Sequence, residues 1–145
     1  VFYSTVDQTA ANQNTGYAVA FNTTRTNSGV SVVSNSRLTV ASDGVYHVKT
    51  TLQLESTNSS AKNVSIWIKK NGTDEVYSAH EYSITGSGKK DIANWNGSLS
   101  LSATDYVEIF WATDDVNVEL QAQTASAPRP AVASASVAIS FVSNS

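Results

Sequence analysis

The stretch Gly44-Val-Tyr-His-Val-Lys-Thr-Thr-Leu-Gln-Leu54 decides the fold class of this chain. Its apolar residues recur with a period of two, which is typical of a β-strand that has one face on a core. The predicted core face carries Tyr46, Val48, Thr50, Leu52 and Leu54. The opposite face carries Val45, His47, Lys49, Thr51 and Gln53. The pattern therefore predicts a long strand with one buried face.

Short alternating segments recur along the rest of the chain. The sequence predicts strands at Phe2–Val6, Tyr17–Phe21, Gly29–Val33, Arg37–Val40, Val45–Leu54, Val64–Lys69, Val76–Tyr82, Ile92–Leu101, Tyr106–Trp111, Val116–Ala122 and Val132–Val142. Clusters of Asn, Asp, Gly and Ser separate them and predict turns, among them a hairpin turn at Lys69-Lys70-Asn71-Gly72. About ten short strands and no helical stripe predict one all-β domain over residues 1–145, a sandwich or a barrel.

The composition excludes several classes of protein. Charged residues make up 14% of the chain, against about 25% in an average soluble domain. Polarity comes instead from 22 Ser, 15 Thr and 12 Asn. The absence of Cys excludes disulfides, thiolate zinc sites and cysteine nucleophiles. Nine scattered Lys and Arg and a net charge of −3 argue against a nucleic-acid partner. No apolar run approaches the roughly 20 residues of a membrane span.

Aromatic residues lie on the second face of two predicted strands. Three further strands have clear core faces, namely Val64, Ile66 and Ile68, then Val107, Ile109 and Trp111, then Val137, Ile139 and Phe141. By the same alternation, Trp67, Tyr106 and Phe110 point away from the core. Such residues predict a further buried surface, most simply between subunits. The alternative is that the inward and outward faces of one strand are reversed.

Four motifs in sequence order resemble the jelly-roll domains of the C1q and TNF families. They are Arg37-Leu-Thr-Val-Ala-Ser-Asp-Gly-Val-Tyr-His-Val48, Val64-Ser-Ile-Trp-Ile-Lys-Lys-Asn-Gly72, Leu99-Ser-Leu-Ser-Ala-Thr-Asp-Tyr-Val-Glu-Ile109 and Ala135–Val142. The resemblance covers about residues 29–142. It implies an antiparallel jelly-roll β-sandwich.

The Ser/Thr/Asn-rich, Cys-free composition is similar to that of small structural proteins of tailed bacteriophages. The stretches Ile66–Gly72 and Asp105–Asp114 carry this likeness best. Such proteins include trimeric capsid decoration proteins and the heads of fibres or appendages. The resemblance implies a homotrimer with axis-facing residues His47, Lys49, Thr51, Tyr106, Glu108 and Phe110.

The function predicted from this resemblance is structural. A trimeric decoration or cement protein on the virion surface would stabilise the shell through several weak contacts with the major capsid protein. The alternative is the receptor-binding head of a tail fibre, which would contact a host surface glycan. For that alternative the candidate contacts are Trp67, Trp95 and the loops around Asn58 and Gly86. A free carbohydrate-binding module is a third class.

The sequence predicts no enzyme, no cofactor and no metal site. His47 and His80 fit neither the His-x-His pattern of cupins nor His-Glu-x-x-His, and no Gly-x-Ser-x-Gly elbow or phosphate loop occurs. Asp114-Asp115 could belong to a calcium loop, but a solvated turn is the preferred interpretation. At an axis His47 could act as a pH switch, whereas a hydrogen-bonded strand histidine is the preferred alternative.

Overall fold

Every regular element of the described chain is a β-strand. The computed structural model describes residues 1–144, and no helix long and apolar enough to cross a membrane occurs among them. The strands are β1 (Phe2–Ser4), β2 (Tyr17–Ala18), β3 (Thr23–Thr24), β4 (Val30–Val33), β5 (Arg37–Val40), β6 (Gly44–Ser56), β7 (Lys62–Lys70), β8 (Thr73–Asp74), β9 (His80–Ile84), β10 (Lys89–Leu101), β11 (Tyr106–Thr113), β12 (Val118–Leu120) and β13 (Ala135–Ser143).

These strands form two antiparallel sheets that pack as a sandwich. Sheet A has the order β10-β6-β13-β1-β3, and β12 pairs with the far end of β6. Sheet B has the order β4-β5-β11-β7-β8, and it also holds β2 beside β11 and β9 beside β7. The prediction of an all-β sandwich is therefore confirmed.

Strand β6 is the centre of sheet A. It pairs with β10 from Gly44 to Ser56 and with β13 on its other side. The alternate residues predicted to face the core are all buried, namely Tyr46, Val48, Thr50, Leu52 and Leu54. Sheet B supplies the opposite wall with the predicted residues Val64, Ile66, Ile68, Val107, Ile109 and Trp111. The period of two thus identified the inward faces of these strands correctly.

Phe141 is the exception among the predicted core residues, since 51% of its surface is exposed. The pairing of β13 with β6 shifts in register between Phe141 and Ser143, at the last residues of the strand. There the ring packs edge-on against Tyr46, with centroids 5.7 Å apart, and lies over Gly44. The prediction that Phe141 belongs to the core is wrong because the ring lies at the rim of the sandwich.

The predicted strand Val76–Tyr82 is wrong in its first half. Tyr77 has a φ of +61° and belongs to the loop between β8 and β9, and strand geometry begins only at His80. Ser78 donates its backbone N–H to the Glu75 carbonyl at 3.3 Å. Residues 75–78 therefore form a turn, although their sequence pattern resembles that of a strand.

The predicted hairpin turn at Asn71-Gly72 is confirmed, with φ of +50° and +81°. The Asn71 side chain also joins two strands of sheet B: Nδ2 donates to Asp105 Oδ1 at 2.8 Å, and Oδ1 accepts from Tyr106 N at 3.0 Å. The hydrogen bond from Asn71, the backbone N–H of Ser102 and the Lys70 ammonium lower the pKa of Asp105. The stabilisation they give is lost as the pH falls through that lowered pKa.

Gly97 is required by the packing of Trp95. Both residues lie on the core face of β10, and a Cβ at Gly97 would overlap the six-membered ring of Trp95. The indole is only 6% exposed, and its Nε1 donates to the Ser78 carbonyl at 2.6 Å. Because the indole is buried, stacked on His80 and fixed by this hydrogen bond, it has little freedom to move away.

We predict that Gly97→Ala lowers the free energy of unfolding by about 1–3 kcal/mol, the usual cost of overpacking a core. Urea titration followed by tryptophan fluorescence measures both the stability and the environment of Trp95. Ser100→Ala, at an exposed position of the same strand, is the matched control. Unchanged stability and emission in Gly97→Ala would contradict the prediction.

Candidate assembly and ligand surfaces

The centre of the outer face of sheet A carries small and mostly uncharged side chains. His47, Lys49 and Thr51 lie there, because their neighbours in β6 point into the core. Together with their partners they form three cross-strand rows: Ser98–His47–Ser140, Asn96–Lys49–Ala138 and Asn94–Thr51–Ser136. Lys49 is the one formal charge in these rows. A face of this kind can be covered by another protein surface with little desolvation of charge.

His47 makes a local contact within this face. Its Nδ1 lies 3.3 Å from Ser98 Oγ on the neighbouring strand β10. This geometry fits the hydrogen-bonded strand histidine, which the sequence favoured over a pH switch.

The other three predicted axis residues lie elsewhere. Tyr106, Glu108 and Phe110 are on the outer face of sheet B, which points away from the outer face of sheet A. Glu108 is also 9% exposed and accepts a hydrogen bond from Ser36 Oγ at 2.6 Å. The prediction of one axis-facing surface is therefore corrected, because alternation identifies the face of a strand but not its sheet.

The outward aromatic rings of sheet B are partly covered by cations of the same chain. The Arg37 guanidinium lies 4.6 Å from the centroid of Tyr106, and Lys69 Nζ lies 4.5 Å from the centroid of Phe110. Cation–π contacts of this kind are favourable at a protein surface. These rings thus have partners within the monomer and do not require a subunit interface.

Trp67 and Phe110 lie opposite each other on β7 and β11, with ring centroids 5.8 Å apart. Trp67 Nε1 donates to Asp74 Oδ1 at 2.9 Å, which fixes the orientation of the indole. Gly16 lies against the same ring, where an added Cβ would come within 3.0 Å. Trp67 is therefore a half-buried, firmly held aromatic side chain on the outer face of sheet B.

Trp95 is not a surface residue. It faces the core, stacks on His80 with centroids 6.2 Å apart and is nearly fully buried. Its neighbours Asn94 and Asn96 are the exposed residues of this part of β10. The prediction that Trp95 contacts a partner or a glycan is wrong, because the alternation of β10 continues through it.

A polar depression of about 300 Å³ lies beside Trp67 on sheet B. Its lining is Asn14, Asn63, Ser65, Glu81, Ala112, Thr113 and Asp114. Ser65 and Ala112 lie opposite each other on β7 and β11, so two small side chains form its floor. Carboxylate, amide and hydroxyl groups at its walls can exchange hydrogen bonds with a ligand rich in hydroxyl groups.

Asp114 and Asp115 both accept hydrogen bonds from backbone N–H groups. Asp114 Oδ1 accepts from Asn63 N at 2.9 Å, and Asp115 Oδ1 accepts from Asn117 N at 2.8 Å. The latter bond and the nearby Lys62 ammonium lower the pKa of Asp115. Within residues 1–144 no group of three or more acidic or histidine side chains is arranged to hold a metal ion.

The loop between β8 and β9 presents two apolar side chains to solvent. Val76 is 80% exposed and Tyr77 is 99% exposed. We call these two residues the tip. Its flanks are fixed, since Glu75 N donates to the Ile68 carbonyl at 2.9 Å and Ser78 Oγ accepts from Ile68 N at 3.1 Å. Sequence reasoning missed the tip because it assigned both residues to a strand.

The chain matches no family model, and no curated protein matches it at a significant level.

Two carboxylates face each other at the end of sheet A. Glu119 on β12 is paired directly with Glu55 on β6. Burial, followed by the charges of Asp7 and Glu55, raises the pKa of Glu119 above its ordinary value. Lys90 Nζ lies 3.1 Å from Glu55 Oε2 and offsets part of the repulsion.

Gln121 Oε1 is buried without a hydrogen-bond partner in the described part of the chain.

We predict that Glu119→Gln stabilises the protein at pH 7. A raised pKa in the folded state means that ionisation of Glu119 opposes folding, so the wild type loses stability as the pH rises from 4.5 through the raised pKa. Like charges directly opposite in a sheet cost roughly 0.2–1 kcal/mol. Thermal melts from pH 3.5 to 8 measure the effect, with Glu75→Gln as the control. A gain for Glu119→Gln that is as large at pH 3.5 as at pH 7 would contradict the electrostatic cause.

Proposed function

We propose that this chain is an antiparallel jelly roll of the C1q/TNF-like kind. The two-residue strands β2, β3 and β8, the edge strand β4 and the short strand β12 are accessory to the sheets. The distribution of the other eight strands, the main strands, supports this topology. In chain order β1, β5, β6, β7, β9, β10, β11 and β13 belong to sheets A, B, A, B, B, A, B and A. Each sheet then has four main strands, β10-β6-β13-β1 and β5-β11-β7-β9. Jelly rolls are double-sheet structures of eight strands.

The chain acts by assembly and forms a homotrimer through the outer face of sheet A. The nearly uncharged centre of that face carries this proposal. Its three rows hold nine residues, of which only Lys49 carries a formal charge. Interface cores are depleted in charged residues, and burial between subunits adds stability by mass action. A chain without cysteine gains from assembly a stabilisation that disulfides cannot supply.

The assembled trimer is a structural protein of a tailed bacteriophage and decorates the capsid. The stretches Ile66–Gly72 and Asp105–Asp114 carry the likeness on which this step rests. A trimer contacts several copies of the major capsid protein at once, so weak individual contacts combine into slow release. On this proposal the protein has no catalytic role.

The polar depression favours a second function, the glycan-binding head of a tail fibre or appendage. Its walls offer Asn63, Glu81 and Asp114 to hydroxyl groups, and Trp67 stands beside it on the same face of β7. Basic side chains are missing from its lining. Among host surface glycans this chemistry suits a neutral sugar better than an acidic one, since a carboxylate ligand would meet like charges.

We predict that the protein sediments as a trimer of about 46 kDa, three times the chain mass of 15.4 kDa. Thr51→Arg introduces a second charge into these rows, next to the row of Lys49, and should weaken association at least tenfold. Analytical ultracentrifugation from 1 to 50 μM measures both, with Ser31→Arg on exposed strand β4 as the control. A wild-type monomer throughout this range would rule out the trimer.

The place of the protein on its particle is tested separately. Cryo-electron microscopy of the source virion, with antibody labelling, should find three-fold density on the shell surface. Density confined to the tail would contradict the decoration role and support the head.

If the second function holds, we predict that the wild-type protein binds neutral glycans. The variant Ala112→Leu should bind the same glycans with lower affinity. The larger side chain fills the floor of the depression without altering the core, since Ala112 points outward. A glycan array followed by titration calorimetry measures binding, and Ala103→Leu in the exposed β10–β11 turn is the control. Equal binding by Ala112→Leu and wild type would exclude the depression as the site.

A further inference from the structure

The tip is held in a conformation that a tyrosine seldom adopts. Tyr77 lies in the left-handed region at a φ of +61°, which is uncommon and costly for a bulky residue. The hydrogen bonds of Glu75 and Ser78 to Ile68 fix both flanks of the turn. Such strain persists only where the surroundings impose it, and here the result is that an aromatic ring is held fully in solvent.

A groove of about 460 Å³ lies on the other side of the molecule. Its apolar lining includes Phe2, Val30, Ala138, Ile139 and Phe141, and Thr26, Asn27 and Ser28 add polar groups. The volume lies within the range of pockets that enclose small ligands. A tyrosine, with an apolar ring and a polar hydroxyl, matches a groove of this mixed character.

The tip and the groove lie at opposite edges of the sandwich. The tip follows β8, which ends one side of sheet B, whereas Val30 belongs to β4 at the other end of that sheet. In sheet A the groove lies along β1 and β13. The tip lies near β10 instead, because Ser78, the residue after the tip, accepts a hydrogen bond from Trp95 of that strand. A chain therefore cannot fill its own groove with its own tip.

We propose that the tip of one copy inserts into the groove of the next copy. A contact between two different surfaces is head-to-tail, and it generates a closed ring when the rotation between copies closes. The groove includes Ser140, which lies opposite His47, so it is continuous with the outer face of sheet A. The inference rests on the proposed trimer and assigns to it the side chain that joins neighbouring subunits.

Tyr77→Gly separates assembly from folding. Glycine removes the ring and accepts the positive φ without strain, so the melting temperature of the monomer should stay level or rise. Association measured by ultracentrifugation should weaken at least tenfold. Val116→Ser, at another exposed apolar position (47% exposed), is the matched control and should leave assembly unchanged.

Ser140→Glu supplies the complementary variant by placing a charge in the groove from an exposed position. It too should be monomeric. In a mixture of the two variants, Ser140→Glu keeps an intact tip and Tyr77→Gly keeps an intact groove. One chain of each should therefore form a pair, which cannot add a third chain. Native mass spectrometry distinguishes such pairs from trimers by mass.

The outcomes distinguish this inference from the proposed trimer. A wild-type monomer overturns both. A wild-type trimer that persists in Tyr77→Gly overturns only the role of the tip, and failure of the mixed variants to pair overturns the head-to-tail contact.

Discussion

The pairing register of β6 is the constraint on which the rest of the structure depends. All thirteen of its residues pair with β10, and β13 and β12 pair with its other side. Every second residue from Gly44 to Ser56 is buried. Because side chains alternate strictly, a slip of one residue would expose Val48 and Leu52 and bury Lys49. The same register sets the rows of His47, Lys49 and Thr51 on the outer surface. The core and the proposed assembly face are therefore two consequences of one alignment.

The two outer surfaces use the low charge of the chain differently. At the centre of the outer face of sheet A, Ser, Thr, Asn and Ala surround Lys49, and the charges of Glu55, Lys90 and Glu119 lie at one end. On sheet B, the few cations are placed over aromatic rings, as Arg37 is over Tyr106 and Lys69 over Phe110. These cations of sheet B are thus engaged within the monomer, whereas the small and mostly uncharged centre of sheet A leaves a surface suited to a second protein. This difference is the physical reason to distinguish an assembly face from a ligand face.

Local alternation was sufficient to identify the inward residues of the long strands. It correctly separated Ile66 and Ile68 from Trp67, and Ile109 and Trp111 from Phe110. It could not assign strands to sheets, since β6 pairs with β10 and β13 and β11 pairs with β7, all distant in sequence. This is why residues of two opposite faces were combined into one predicted surface.

The remaining differences also depend on contacts between distant residues. Trp95 is flanked by the polar residues Asn94 and Asn96, but the space that Gly97 leaves for the indole can be seen only in three dimensions. The repulsion between Glu55 and Glu119 arises from a pairing of β6 with β12. The depression beside Trp67 requires Ser65 and Ala112 to meet across two strands. None of these arrangements has a local sequence signal.

The hydrogen bonds of Asn71 bear on the chemical lifetime of the protein. An asparagine followed by glycine is prone to lose its amide, because the glycine N–H can attack the side-chain carbonyl carbon when the side chain is free to turn towards it. Here both ends of the Asn71 amide are engaged, by Asp105 and by the backbone of Tyr106. The interactions that join β7 to β11 thus also hold the side chain away from this reaction. Deamidation of this Asn-Gly turn should therefore be slower in the folded protein than in the unfolded chain.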